Sequence, residues 1–266
     1  MRRFLLCAIA LLCAIPALAQ LAEPNERGIA FGHVHLTVAN RDLHKRLWTD
    51  LFDAVLVEKE GYAAVRVPGA LVFFTEGEPT APSINTGMDH VGFLVRNVEE
   101  IVTKWRALGY EVDSEKTDAG GSRVAYLTMP GGVRLELREQ PELAVGAVMD
   151  HVHFMSPAPR QLMDWYAEVI GVTVPVSEIV SPSGEVPGSG LRFGRSGGER
   201  AHTDGTAIDH IGFEIENWDM YIERLSGNGI EFEFGPVYIE SLDLWVAFFT
   251  DPSGVLVEVT HGLDHF

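Results

Sequence analysis

The sequence predicts an α+β fold, made of four β-α-β-β-β modules that pair into two domains. Three observations carry this. A histidine-bearing strand start recurs four times along the chain, as Gly32-His33-Val34-His35-Leu36, Asp89-His90-Val91-Gly92-Phe93, Asp150-His151-Val152-His153-Phe154 and Asp209-His210-Ile211-Gly212-Phe213. These first histidines lie 57, 61 and 59 residues apart in a chain with only 10 histidines among 266 residues, so the period marks a repeated unit. Each recurrence is followed by the same succession of hydrophobic patterns.

The first pattern is alternation, as in His33-Val34-His35-Leu36-Thr37-Val38, which suits a strand with one buried face and puts His33 and His35 on one side. A helical spacing follows: Leu43, Leu47 and Leu51 in module one, then Val98, Ile101, Trp105 and Leu108 in module two. Leu162, Trp165 and Val169, and then Trp218, Tyr221 and Leu225, repeat it in modules three and four, with the aromatics read as core. Asn97 followed by Glu100 resembles a capping box, and Gly109, Gly171 and Gly229 stand where helix ends need a left-handed residue. After each helix come short β-rich runs such as Ala54 to Glu60, Tyr62 to Val67 and Ala70 to Thr75.

Residues 1–19 read as a secretory signal peptide: Arg2 and Arg3, an apolar run from Phe4 to Ile15, and the small-residue site Ala17-Leu18-Ala19. The run ends at Pro16, short of the ~20 residues a membrane-spanning helix needs. The mature chain is thus expected to be exported, periplasmic or secreted, with no membrane association after cleavage. About 247 residues then suit two domains, expected over 29–138 (modules one and two) and 149–262 (modules three and four). The linker lies near Glu139-Gln140-Pro141-Glu142. Segments 76–87, 181–190 and 196–206, rich in Gly, Pro, Ser and Thr, read as loops.

Both cysteines, Cys7 and Cys13, fall inside the signal segment. The mature chain then has neither disulfides nor thiolate chemistry, and His, Asp and Glu are its strong metal ligands. Loss of Arg2 and Arg3 takes the formal charge from −18 to −20. That surface repels nucleic-acid phosphates and anionic lipid, so neither is an expected partner; its acidity serves solubility and says little about substrate.

Modules two and four end alike, in Met129-Pro130-Gly131-Gly132-Val133-Arg134-Leu135-Glu136 and Asp251-Pro252-Ser253-Gly254-Val255-Leu256-Val257-Glu258. Glu136 and Glu258 each interrupt an apolar strand, where a lone carboxylate is costly unless it is paired or metal-bound. The same places in modules one and three hold Phe73 or Phe74, and Phe193 or Gly194. If consecutive modules pair, each domain has two imidazoles and one acid: His33, His90 and Glu136 in the first, and His151, His210 and Glu258 in the second.

These motifs, over residues 30–261, resemble the vicinal oxygen chelate superfamily, which includes glyoxalase, fosfomycin-resistance enzymes, bleomycin-resistance proteins and extradiol ring-cleavage dioxygenases. The resemblance implies two partly open, eight-stranded mixed-sheet cups. It also implies that the six residues are metal ligands, with one divalent ion (Fe, Zn, Mn or Ni) per domain. Three protein ligands leave adjacent positions open for two neighbouring substrate oxygens. His35 and His153 share the ligand face and are candidates to assist as acid–base groups. Extradiol enzymes usually carry a tyrosine ten residues before the ligand glutamate; here that place holds Tyr126 in one half and Phe248 in the other.

The resemblance implies ring-cleaving dioxygenation or glyoxalase-like isomerase or lyase chemistry, with non-catalytic sequestration of the bleomycin-resistance kind as the alternative. His202, ahead of His210, only loosely matches the acid–base histidine of the dioxygenases. Arg66, Arg123 and Arg192 lie in predicted strands; they could orient an anionic substrate, but a surface-facing direction is the default reading. A chain with both module pairs need not dimerise to complete a site.

Overall fold

The computed structural model describes residues 21–175 and 181–266. The export signal expected over residues 1–19, with Cys7 and Cys13, lies outside them. Among the described residues no helix is long and apolar enough to cross a membrane.

Module one comprises β1 (Ile29–Val38), α1 (Arg41–Phe52), β2 (Val55–Lys59), β3 (Tyr62–Val67) and β4 (Ala70–Glu76). Module two repeats it as β5 (Met88–Val95), α2 (Val98–Ala107), β6 (Val112–Thr117), β7 (Arg123–Met129) and β8 (Val133–Glu139). Module three has β9 (Ala147–Ser156), α3 (Pro159–Trp165) running into a π turn (Tyr166–Ile170), β10 (Ser183–Val186) and β11 (Ser189–Arg195). Module four closes with β12 (Ile208–Ile215), α4 (Trp218–Gly227), β13 (Phe234–Ile239), β14 (Leu244–Thr250) and β15 (Leu256–His261).

The helices start where side chains satisfy their free N–H groups. Asn40, Asn97 and Asn217 each accept a bond from the amide three residues on, at 2.9, 3.0 and 3.3 Å. Glu100 does not complete the expected capping box; its carboxylate pairs with Lys104 at 2.8 Å, one helical turn further on. In α3 a proline in the first turn takes the place of a side-chain cap. Gly109, Gly171 and Gly229 all have positive φ, as the helix ends require.

The strands form two mixed sheets, ordered β13-β14-β15-β12-β1-β4-β3-β2 and β10-β11-β9-β5-β8-β7-β6. Their central antiparallel pairs are β1 with β12 and β5 with β9. Module one therefore shares a sheet with module four, and module two with module three. This corrects the expectation that modules one and two form one cup and three and four the other.

Consecutive modules meet instead through the outer faces of their sheets. Trp48 of α1 packs edge-on against Phe93 of β5 at 5.2 Å between ring centroids, and Phe52 stacks on the same ring. On the other side, Tyr166 of module three reaches Phe213 of β12 and donates to the buried carboxylate of Asp251 at 2.8 Å. The main core is an apolar cluster that joins all four modules, and a smaller one, with Leu71, Phe73, Leu244 and Val246, lies in the sheet shared by modules one and four.

Two further expectations are corrected. The second sheet has seven strands because the strand expected after the helix of module three is, among the described residues, a single bridge between Thr173 and Glu185. The segment 181–190, read as a loop, contains β10 and the start of β11, whose residues exchange ladder bonds from Ser183–Arg192 to Val186–Ser189. Segments 76–87 and 196–206 do connect modules, and they pair with each other. Thr80 N–H donates to Gly205 C=O at 2.9 Å and Ala207 N–H to Ala81 C=O at 2.9 Å.

Candidate metal centres in two cups

Each cup is organised by its central strand pair. In the first, His33 of β1 lies opposite Gly212 of β12, and His35 lies opposite His210. In the second, His151 of β9 lies opposite Gly92 of β5, and His153 opposite His90. The glycines are dictated by space: a Cβ at Gly212 would stand 2.0 Å from the His33 ring, and one at Gly92 would stand 2.2 Å from that of His151. The parallel neighbours β15 and β8 bring Glu258 beside Gly212 and Glu136 beside Gly92.

All six expected residues therefore reach cup interiors, in a different grouping. His33, His210 and Glu258 gather in the first cup, and His90, His151 and Glu136 in the second. The expected sets His33, His90, Glu136 and His151, His210, Glu258 do not form, because the sheets join modules one with four and two with three.

In the first cup one carboxylate oxygen, Glu258 Oε2, is 2.9 Å from His33 Nε2 and 3.0 Å from His210 Nε2. His210 Nδ1 is bonded to Asp209 Oδ1 at 2.5 Å. Both nitrogens of His33 are buried without a hydrogen-bond partner, since its approach to Glu258 is not aligned for one. Burial opposes a charge on His210, but Asp209 and Glu258 on its two nitrogens outweigh that and push its pKa up to about 9. Burial likewise opposes ionisation of Glu258, but His33 and His210 hold its carboxyl well below the usual range. His35 is brought down to about 3 by burial and then by the neighbouring His210 and His33. It is a neutral imidazole, with Nε2 2.7 Å from Thr75 Oγ1.

In the second cup His90 Nδ1 is 2.7 Å from Asp89 Oδ1, and His151 Nδ1 is 2.9 Å from Asp150 Oδ2. Each aspartate fixes the tautomer in which Nδ1 carries the proton, so the Nε2 lone pairs face inward. Those two Nε2 atoms are 3.4 Å apart and lie 3.3 and 3.9 Å from Glu136 Oε2. Tyr126 donates to the same oxygen at 2.5 Å, and Arg138 Nη2 approaches Oε1 at 3.2 Å. Burial acts against the charge on Glu136, yet His90 and Tyr126 hold its carboxyl well below the ordinary value. His153 falls to about 3 through burial and the nearby His90 and His151.

The donor sets fit a divalent cation. The inward nitrogens of the three histidines in each cup, His33, His35, His210 and His90, His151, His153, lie within 4.8 Å of one another. Two lone pairs and a carboxylate converging in a buried space repel one another unless a proton or a cation sits between them. The orphaned nitrogens of His33 and the 3.4 Å approach of His90 to His151 are the signs of this.

Strand register also settles what replaces the carboxylate in modules one and three. Phe73 lies beside His35, as one of the two expected candidates, and Arg192 lies beside His153 where Phe193 or Gly194 was expected. Arg192 thus lines the second cup and does not merely face the surface. Tyr126 and Phe248 hold equivalent places beside Glu136 and Glu258. His202 is exposed and is not among the residues lining either cup. The sequence reading did not single out Asp89, Asp150 and Asp209, although each directly precedes a repeated histidine and Gly32 breaks the pattern in module one.

Paired β-α-β-β-β modules that present two imidazoles and a carboxylate inside an open cup define a class of small-molecule-binding fold. The chain belongs to the Glyoxalase/Bleomycin resistance protein/Dioxygenase superfamily, whose sequence profile matches residues 30–137 and again 148–259. Glyoxalase I from Zea mays superposes with a TM-score of 0.71 at 16% identity, covering 89% of this chain and 94% of that one. A putative dioxygenase from Bacillus subtilis subsp. subtilis str. 168 gives 0.61 at 14% identity, covering 93% and 88%. At these identities the likeness is one of fold. No curated protein sequence matches the chain significantly.

Proposed function

We propose that this is an exported, divalent-metal-dependent enzyme acting on a small molecule with two adjacent oxygens, and that its reaction is a ring-cleaving dioxygenation. His33, His210 and Glu258 would hold one ion and His90, His151 and Glu136 a second, of iron, zinc, manganese or nickel. The observation that carries the reading is the convergence of two inward imidazole nitrogens and one carboxylate in each cup, with Phe73 or Arg192 where a fourth protein ligand would stand. Three ligands on one side leave the opposite positions open, the arrangement suited to iron(II) oxygenases. When bound, the ion supplies a positive charge that stabilises negative charge developing on the substrate's oxygens.

The chain's own residues do the rest. His35 and His153 are neutral beside the ligands, so each can accept a hydrogen bond from a substrate hydroxyl. The likeness of fold to glyoxalase I supports a second reading, glyoxalase-like isomerisation, in which a base carries a proton between adjacent carbons and no oxygen is consumed. Glu258, deep in an apolar cup, balances the charge on the histidines.

The test is metal analysis of protein purified from its own compartment, followed by oxygen uptake on catechols. Iron content with oxygen consumption supports the dioxygenase. Zinc or nickel with oxygen-independent isomerisation moves the conclusion to the second reading. Tight ligand binding by metal-free protein with no turnover supports sequestration, and a chain that takes up no divalent metal sinks the proposal.

A further inference from the structure

The two cups have the same donor set but opposite walls. In the first, a cavity of about 260 Å³, the positions flanking the donors are Phe73 and Phe248. Phe73 meets the His33 ring edge-on at 5.2 Å and Phe248 meets that of His210 at 5.2 Å. Phe266 packs on Phe73 at 5.2 Å, and Tyr62 and Phe234 stand at the mouth, both in the lining and about half exposed. Among the described residues lining this cavity, Glu258 has the only acidic side chain, and there is no lysine or arginine.

In the second cup the same two register positions hold Arg192, which lines a cavity of about 580 Å³, and Tyr126, which is not in its lining. Space is cleared for the guanidinium: a Cβ at Gly190 would stand 2.7 Å from Arg192 Nη1. Nη1 is committed to Glu185 at 2.8 Å, while Nη2 has no partner among the described residues. Arg138 joins it in the lining, with its Nε buried and unpartnered. The acids nearby are already engaged, Glu136 by Tyr126 and Arg138, Asp150 by His151 and Glu185 by Arg192.

We infer that the cups of one chain take different ligands: an uncharged chelator with an apolar body in the first, set by Phe73, and a chelator bearing an acid group in the second, set by Arg192. Apolar walls offer no compensation for a ligand's charge, whereas the free Nη2 of Arg192 can donate a charge-assisted hydrogen bond to a carboxylate. The inference rests on the metal reading only in assuming that the ligand chelates.

The experiment is calorimetric titration of the zinc-loaded chain with 3-phenylcatechol and with 3,4-dihydroxybenzoate, in wild type and in Glu258→Gln and Glu136→Gln variants. Binding of 3-phenylcatechol should disappear in Glu258→Gln and persist in Glu136→Gln, and 3,4-dihydroxybenzoate should do the reverse. Phe73→Arg should weaken the first probe at least tenfold and Arg192→Leu the second, each leaving the other probe unchanged. Both probes mapping to one cup, or either cup binding both alike, overturns the inference. If the chain takes up no zinc, the metal reading falls by itself, and the metal-free chain decides the rest with 3-phenylphenol and 3-hydroxybenzoate. Loss of the former in Phe73→Arg and of the latter in Arg192→Leu sustains the inference; no binding, or no such dependence, ends it.

Discussion

Gly212 faces His33 across the β1–β12 pair so closely that a single methyl group there would stand 2.0 Å from the imidazole. The ring is enclosed by Phe73, His35 and His210, so it has little room to retreat. Gly212→Ala should therefore displace His33 and cost about 1–3 kcal/mol of stability through overpacking. Metal content should fall by the share of the first cup while the second is untouched. Thermal melts and metal stoichiometry check both, and full retention of metal would contradict the placement of His33.

His210 ties the first cup to pH. Burial works against its charge, but its two carboxylate partners raise its pKa to about 9 from an unfolded value of 6.5. The folded metal-free protein therefore binds more protons than the unfolded chain between those values. Stability from this group is complete below 6.5 and is lost as pH rises through about 9, with a limit on the order of 3 kcal/mol. Denaturant melts in chelator at pH 6 and pH 10 should show that fall, and His210→Gln should remove it. A bound cation must displace the same proton. Metal affinity at this cup should then rise with pH and level off near 9, with proton release detectable by titration in buffers of different ionisation heat.

Much of this site was legible in sequence because its parts are local. The repeated His-bearing strands, the helices between them and the two isolated glutamates follow from periodicity and burial cost alone. The partnership of the modules was not legible, and the reason lies in the glycines. Modules one and three carry His-x-His and modules two and four carry His-x-Gly, and each central pair needs one of each, because Gly212 and Gly92 make room for the opposite histidine. Pairing one with two satisfies that rule as well as pairing one with four. The choice is made by long-range contacts, such as Trp48 and Phe52 against Phe93, that have no local signature. Arg192 was misjudged for a related reason, since its inward direction depends on register with β9, and a one-residue slip reverses a strand's faces.

Asp251 should matter for stability and not for binding. Its buried carboxylate accepts from Ser253 N–H at 2.7 Å, Ser253 Oγ at 2.8 Å, Val255 N–H at 2.9 Å and Tyr166 Oη at 2.8 Å. It ties the turn before β15 to the π turn of module three. Asp251→Ala would strand several buried donors at about 1–3 kcal/mol each if all stayed dry. A loss of about 3 kcal/mol is expected after relaxation, against about 1 kcal/mol for Tyr166→Phe. Denaturant melts of the two variants and of their combination should show less than additive losses, because the residues share a bond.

The aspartates that precede the histidines should set the order in which the cups fill. In the second cup both imidazoles are held by carboxylates, Asp89 and Asp150, so both are oriented before any ion arrives. In the first cup only His210 has such a partner, because Gly32 stands where the others have aspartate, and His33 is left with two orphaned nitrogens. Loss of one such partner typically costs 10–100-fold in metal affinity. Titration against a competing chelator should therefore resolve two classes of site separated by at least about tenfold, with the second cup filling first. His90→Ala should remove the tight class and His210→Ala the weak one. Asp150→Asn, which keeps the shape but loses the charge, should draw the two classes together, and identical affinities in the wild-type chain would show that these aspartates do not govern metal uptake.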